Sequence, residues 1–158
     1  MTTAIEALVF PSVEWFSRLA ELMEARRDRH VHIGTIDCLA QFTMFDTPTR
    51  GENFHVQVRF EEYSVIEVRQ VEEEESAKAD FILETDVDVW QEMVQNIIDG
   101  QGRPDLEHSL NKLSLPGVPM RLWSEDPLAR DLFFRYNQSL QEFWNACSEI
   151  ETVFTPAG

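Results

Sequence analysis

The sequence predicts an α+β fold, and three observations carry that prediction. Apolar residues recur at helical spacing over residues 13–28, switch to a period of two from Ile33 to Thr85, and then return to helical spacing. Short polar turns separate the segments of period two, so four strands are expected to form an antiparallel meander. The chain closes on a long helix with a very wide apolar face. The expected order is an N-terminal helix, a four-stranded antiparallel meander, two helices, a fifth strand and a long C-terminal helix.

Ser12 is placed to cap the first helix, which runs to about Asp28 with Glu14 in its first turn, where the helix dipole favours an acid. Trp15, Phe16, Leu19, Leu22 and Met23 share one face of it. In the first strand Ile36, Cys38, Ala40, Phe42 and Met44 alternate with Asp37, Gln41 and Thr43, giving one dry and one wet face. The turn DTPTRGEN leads to a second strand, in which Phe54, Val56, Val58 and Phe60 alternate with His55, Gln57 and Arg59. Tyr63 to Val71 and Ala79 to Thr85 complete the meander, with Glu72 to Glu75 in a solvated turn between them. Thr85 and Asp88 resemble a capping box for a helix from Asp86 to Ile98. Pro104 suits the first position of a short helix through Lys112. A short strand around Met120 to Trp123 and the Asp126-Pro127 start of the last helix complete the order.

A chain of 158 residues fits one domain spanning 1–158, and at this size about 70% of the extended surface is buried. Twenty-nine acidic residues face thirteen basic ones, for a formal charge of -16. Such a surface repels nucleic acid and anionic lipid headgroups, so neither nucleic-acid binding nor stable membrane insertion is expected. The two cysteines, Cys38 and Cys147, are too few for a secreted disulfide scaffold. The first residues lack the basic and apolar regions of a signal peptide, and the last four are no peroxisomal address. A cytoplasmic protein is the expectation.

On a helical wheel, Leu128, Leu132, Phe133, Tyr136, Leu140, Phe143 and Trp144 fall in an arc of about 160°, wider than the ~100° of a minimally amphipathic helix. Such a face needs cover on more than one side. Either it is the main core helix, or several of its aromatic residues line a slot for an apolar guest.

The stretches ADFILETDVDVWQEMV and DLEHSLNKLSLPGVPMRL, at residues 79–94 and 105–122, together with the order of elements, resemble the sterol carrier protein type-two superfamily. The corresponding features are Ala79-Asp80 before a strand, the helix from Asp86, Gly117 ahead of Met120 to Leu122, and the closing helix from Asp126. The resemblance implies a five-stranded mixed sheet under the C-terminal helix. It also implies an apolar tunnel for a sterol, fatty acid or acyl derivative, with no cofactor.

Chemical signatures are sparse. His30 and His32 would share a face in extended chain, and with His55 from the next strand they would make three ligands for zinc, but no fourth is nearby, so no metal is expected. They read instead as surface histidines at a helix exit. His108 beside Glu107 and Ser109 makes no triad, since neighbouring helix positions diverge. Cys38 reads as core filler. Asp37 and Glu67 are the candidates for a carboxylate general base.

Three readings result. The first is a hydrophobic small molecule held, or carried for transfer, by Phe42, Met44, Val56 and Val58 of the sheet and Phe133, Tyr136, Leu140, Phe143 and Trp144 of the closing helix, with no catalytic residue. The second is a small enzyme acting on an apolar substrate through Asp37 or Glu67. The third is a filled, ligand-free interaction module, as a homodimer or with a basic partner on its acidic surface.

Overall fold

A computed structural model describes residues 7–47, 53–110 and 120–154. The chain runs through β1 (Leu8–Phe10), α1 (Val13–Ala25), α2 (Arg27–Ile33), β2 (Cys38–Phe45), β3 (Phe54–Glu61) and β4 (Ser64–Gln70). A 3-10 turn (Glu73–Lys78), β5 (Phe81–Asp86), α3 (Val87–Asp99), β6 (Arg121–Trp123), α4 (Pro127–Asn145) and β7 (Thr152–Phe154) follow. The expected turn at DTPTRGEN falls mostly outside the described residues. So do Gly117 and the end of the expected helix through Lys112, whose described part holds a 3-10 turn, Leu106–His108, capped by Asp105.

The α+β class is as expected, and among the described residues the main sheet has five strands in the order β4-β3-β2-β5-β6. The meander is shorter than expected. β2, β3 and β4 are successive antiparallel neighbours, but β5 leaves β4 and pairs with the far side of β2, in parallel. The sheet is therefore mixed. The physical reason is burial. β4 is exposed along much of its length, as suits an edge, while Phe81, Ile82 and Leu83 of β5 are buried and take an inner position. The segment between β4 and β5, read as a simple solvated turn, instead crosses the sheet through its 3-10 turn.

Asp80 fixes the crossing. Its carboxylate accepts from the Leu39 N–H at 2.7 Å, and its own N–H donates to the Leu39 carbonyl at 2.8 Å. Ser124 Oγ donates to the Asp80 carbonyl at 2.6 Å, tying the end of β6 to the same point.

Helices α1, α3 and α4 cover one face of the sheet. Ser12 caps α1 by accepting from the Trp15 N–H at 3.1 Å, and Asp126 caps α4 from the Leu128 N–H at 2.9 Å, with Pro127 opening the helix. The expected box at Thr85 is absent: Thr85 ends in the strand, and Asp86 holds the cap position without a side-chain bond. The first helix breaks at Arg26, whose guanidinium reaches across to Glu142 on α4 at 3.1 Å. β1 and β7 pair in parallel as a separate two-stranded sheet, and Trp15 Nε1 donates to Thr152 Oγ1 at 3.0 Å.

The break at Arg26 turns His30 inward, contrary to its reading as a surface histidine at a helix exit. It is 1% exposed, and its Nδ1 has no hydrogen-bond partner among the described residues. Burial pushes its pKa below the ordinary 6.5, opposed by Glu142 and aided by Arg26 and Arg29. Below about pH 6.5 the unfolded chain takes up a proton that the folded chain resists, so stability falls as pH drops toward the folded value. We expect the urea midpoint to fall more steeply between about pH 7 and about pH 5.5 for the native chain than for His30→Gln. Equal slopes would remove His30 from the account.

Candidate functional site

The sheet presents two chemically different faces. Toward the helices point Phe42 and Met44 of β2 and Val56 and Val58 of β3, all fully buried. Phe133, Leu140, Phe143 and Trp144 of α4 are equally sealed, and Tyr136 is 9% exposed. All nine residues expected to line a ligand site thus belong to one buried cluster. Direct ring contacts join only some of them. Trp144 stacks on Trp90 at 5.0 Å and meets Phe42 and Phe16 edge-on at 5.2 and 5.4 Å. Phe143 packs on Phe60 and Phe133 on Phe81, nearer the two sides of the sheet. Leu128 falls outside the cluster at 78% exposed, since it lies in the first turn of α4, ahead of the part that packs on β5.

One polar atom stands out in this cluster. The indole Nε1–H of Trp144 is shut off from solvent and has no hydrogen-bond partner among the described residues. The other buried tryptophans on this face are satisfied: Trp90 Nε1 donates to the Thr43 carbonyl at 2.9 Å, and Trp15 to Thr152.

The opposite face is the one expected to be wet, but its centre is covered. Gln41 and Thr43 are each 1% exposed, and Gln57 is 4% exposed. Gln41 Nε2 donates to Ser76 Oγ at 2.8 Å and to Thr43 Oγ1 at 3.0 Å, while Gln57 Nε2 donates to Gln41 Oε1 and to the Glu75 carbonyl, both at 3.0 Å. This amide ladder pins the 3-10 turn to the sheet. Beside it lies a cleft of about 400 Å³. Two rungs cross the sheet there: His55, Thr43, Glu84 and Arg121 in one, Gln57, Gln41, Ile82 and Trp123 in the other. None of the nine expected residues lines this cleft. Apart from weighing His55 as a zinc ligand, the sequence reading gave these residues no role. The available signal was Gln41 and Gln57 at matching polar positions of adjacent strands.

The remaining candidates are dispersed. His55 bonds Thr43 Oγ1 at 2.9 Å on the open face, whereas His30 and His32 lie on α2, so the three histidines do not converge. Asp37 is exposed and accepts from the Glu62 N–H at 3.0 Å in the β3–β4 hairpin. Glu67 is exposed on β4 beside Arg69 at 3.7 Å. Neither carboxylate faces the helix-side core. His108 pairs with Asp105 at 2.6 Å, a contact that raises the histidine pKa. Both cysteines are free and buried. Burial, with Asp80 and Asp37 adding, pushes the Cys38 thiol far up, and burial pushes Cys147 up to about 12, so neither is a nucleophile at neutral pH. Among the described residues no helix is long and apolar enough to cross a membrane.

A mixed five-stranded sheet under a long closing helix is the arrangement that the sterol-carrier resemblance implied. Solved structures bear this out. A conserved hypothetical protein of Thermus thermophilus, with a suggested sterol-carrier assignment, matches 99% of this chain and 97% of its own, at a TM-score of 0.61 and 19% identity. A crystal structure of sterol carrier protein 2 matches 87% of this chain and 95% of its own, also at 0.61 and 19%. The chain therefore has the fold of sterol carrier protein 2. Comparison with family profiles and with curated proteins returns no match.

Proposed function

We propose that the protein binds a hydrophobic small molecule, a sterol, fatty acid or acyl derivative, between the helix-side face of the sheet and α4. Phe42, Met44, Val56 and Val58 would form one wall, and Phe133, Tyr136, Leu140, Phe143 and Trp144 the other. The observation that carries the reading is the unpartnered Trp144 N–H. A buried donor without an acceptor costs about 1–3 kcal/mol. A hydroxyl or carbonyl on an apolar guest would satisfy it. Burying ~300 Å² of such a guest offers about 7 kcal/mol before ordering costs, so micromolar binding needs a larger buried area together with the Trp144 bond.

Native mass spectrometry of gently purified protein, with displacement of the fluorescent fatty acid cis-parinaric acid, tests this. A lipid adduct or saturable displacement is expected, with fatty alcohols losing about tenfold in affinity in Trp144→Phe. A bare chain mass with no binding of fatty acid, fatty alcohol or sterol probes would sink it. The density of rings around Trp144 favours the interaction module as the competing reading, and that result would select it. Loss of turnover in Asp37→Asn or Glu67→Gln would be needed to revive the enzyme.

A further inference from the structure

The cleft on the open face plays no part in the lipid reading, lies across the sheet from the lipid walls, and has its own chemistry. We propose that it binds a small organic cation with an aromatic or aliphatic body, of the arylalkylamine or quaternary ammonium type. Its volume of about 400 Å³ is within the ~300–1,000 Å³ of small-molecule sites. Its floor is preorganised. Gln41 and Thr43 are almost wholly buried and held by the Ser76, Gln57 and His55 bonds, so a guest meets a fixed surface.

The lining specifies the guest. Glu73, Glu74, Glu84 and Glu125 line the cleft with one guanidinium, that of Arg121, and the His55 imidazole. A recess lined by one sign of charge concentrates the opposite one. Arg121 neutralises it only weakly, standing 3.4 Å from Glu84 with its side chain 66% exposed while that of Glu84 is 20% exposed. Trp123, Ile82 and Phe45 supply the apolar part, and an indole is the best aromatic platform for a cation. A compact metal ion is a poorer fit. Among the described residues no group of three acids, cysteines or histidines converges on a metal position. Four acids in the lining that form no metal-type group suit a diffuse charge carried on a body.

Titration of isotope-labelled protein with phenethylamine, followed by amide NMR, tests this. Phenylacetate and phenethyl alcohol keep the body and change the charge. The expected result is saturable shifts at Thr43, Ala77, Glu84 and the Trp123 indole, with both controls at least about tenfold weaker and amine binding reduced by salt. Glu84→Gln and Trp123→Leu should each weaken the amine about tenfold. Should either misfold, Glu73→Gln with Glu74→Gln, both at exposed positions, gives the same test. Equal binding of phenylacetate, shifts away from the cleft, or unchanged affinity in a folded variant would overturn the proposal. The contrast between the amine and its two controls does not depend on lipid bound in the core.

Discussion

Trp144→Ala is expected to destabilise the protein by about 3–5 kcal/mol, the range for removing a large buried aromatic ring. Trp144 is fully buried and within ring contact of Phe10, Trp15, Phe16, Phe42, Trp90 and Phe143, which come from β1, α1, β2, α3 and α4. Elements so far apart in the chain cannot all move to fill one gap, so much of the cavity term is retained. Stability of an ordinary domain is about 5–15 kcal/mol, and much of it would go. Trp144→Phe removes the unpartnered N–H along with some volume, so its cost should stay below about 1.5 kcal/mol. Phe134→Ala on the same helix, half exposed, should change stability by no more than about 0.5 kcal/mol. Urea unfolding followed by circular dichroism reads all three. A Trp144→Ala cost under about 1 kcal/mol would mean that the ring is loosely held.

Asp80→Ala is expected to cost about 2–3 kcal/mol, because a charge-assisted bond is lost and the Leu39 N–H is left buried without its acceptor. Asp80→Asn keeps an acceptor and should lose about half as much. Amide exchange at Leu39 should quicken by the same free energy, placing the damage at the β2–β5 junction. Unfolding midpoints within about 0.5 kcal/mol of the native chain would show that the backbone bonds between Asp80 and Leu39 suffice. The Ala79-Asp80 pair that carried part of the family resemblance thus has a local physical reason: it marks where the crossover lands.

Local signals were legible in the sequence. The Ser12 and Asp126 caps, the α4 stripe from Phe133 to Trp144 and the dry faces of β2 and β3 each depend on residues a few positions apart, and each stands as expected. The place of β5 was not legible, because it rests on pairs such as Leu39 with Asp80 and Gln41 with Ser76, dozens of residues apart. For the same reason Gln41 and Thr43 read as solvated: polar alternation cannot show that a glutamate-rich turn will fold back over them. β1 and β7 have three residues each, too few for any periodicity. At the candidate lipid site, burial of the nine residues was readable from their pattern. The orphan N–H of Trp144 was not, since its lack of a partner depends on every neighbour at once.

The parallel pairing of β1 with β7 holds the carboxyl end of α4 against the start of the chain, and Trp15 adds a stitch through Thr152. That seam anchors the helix beyond Asn145, while its other end is held by the Asp126 cap at Leu128 and by the Ser124 bond to Asp80 just ahead of it. Under the proposed lipid reading, a crosslink joining the Pro127 margin to β5 is expected to slow ligand exchange more than one joining β1 to β7, where the seam already fixes the chain.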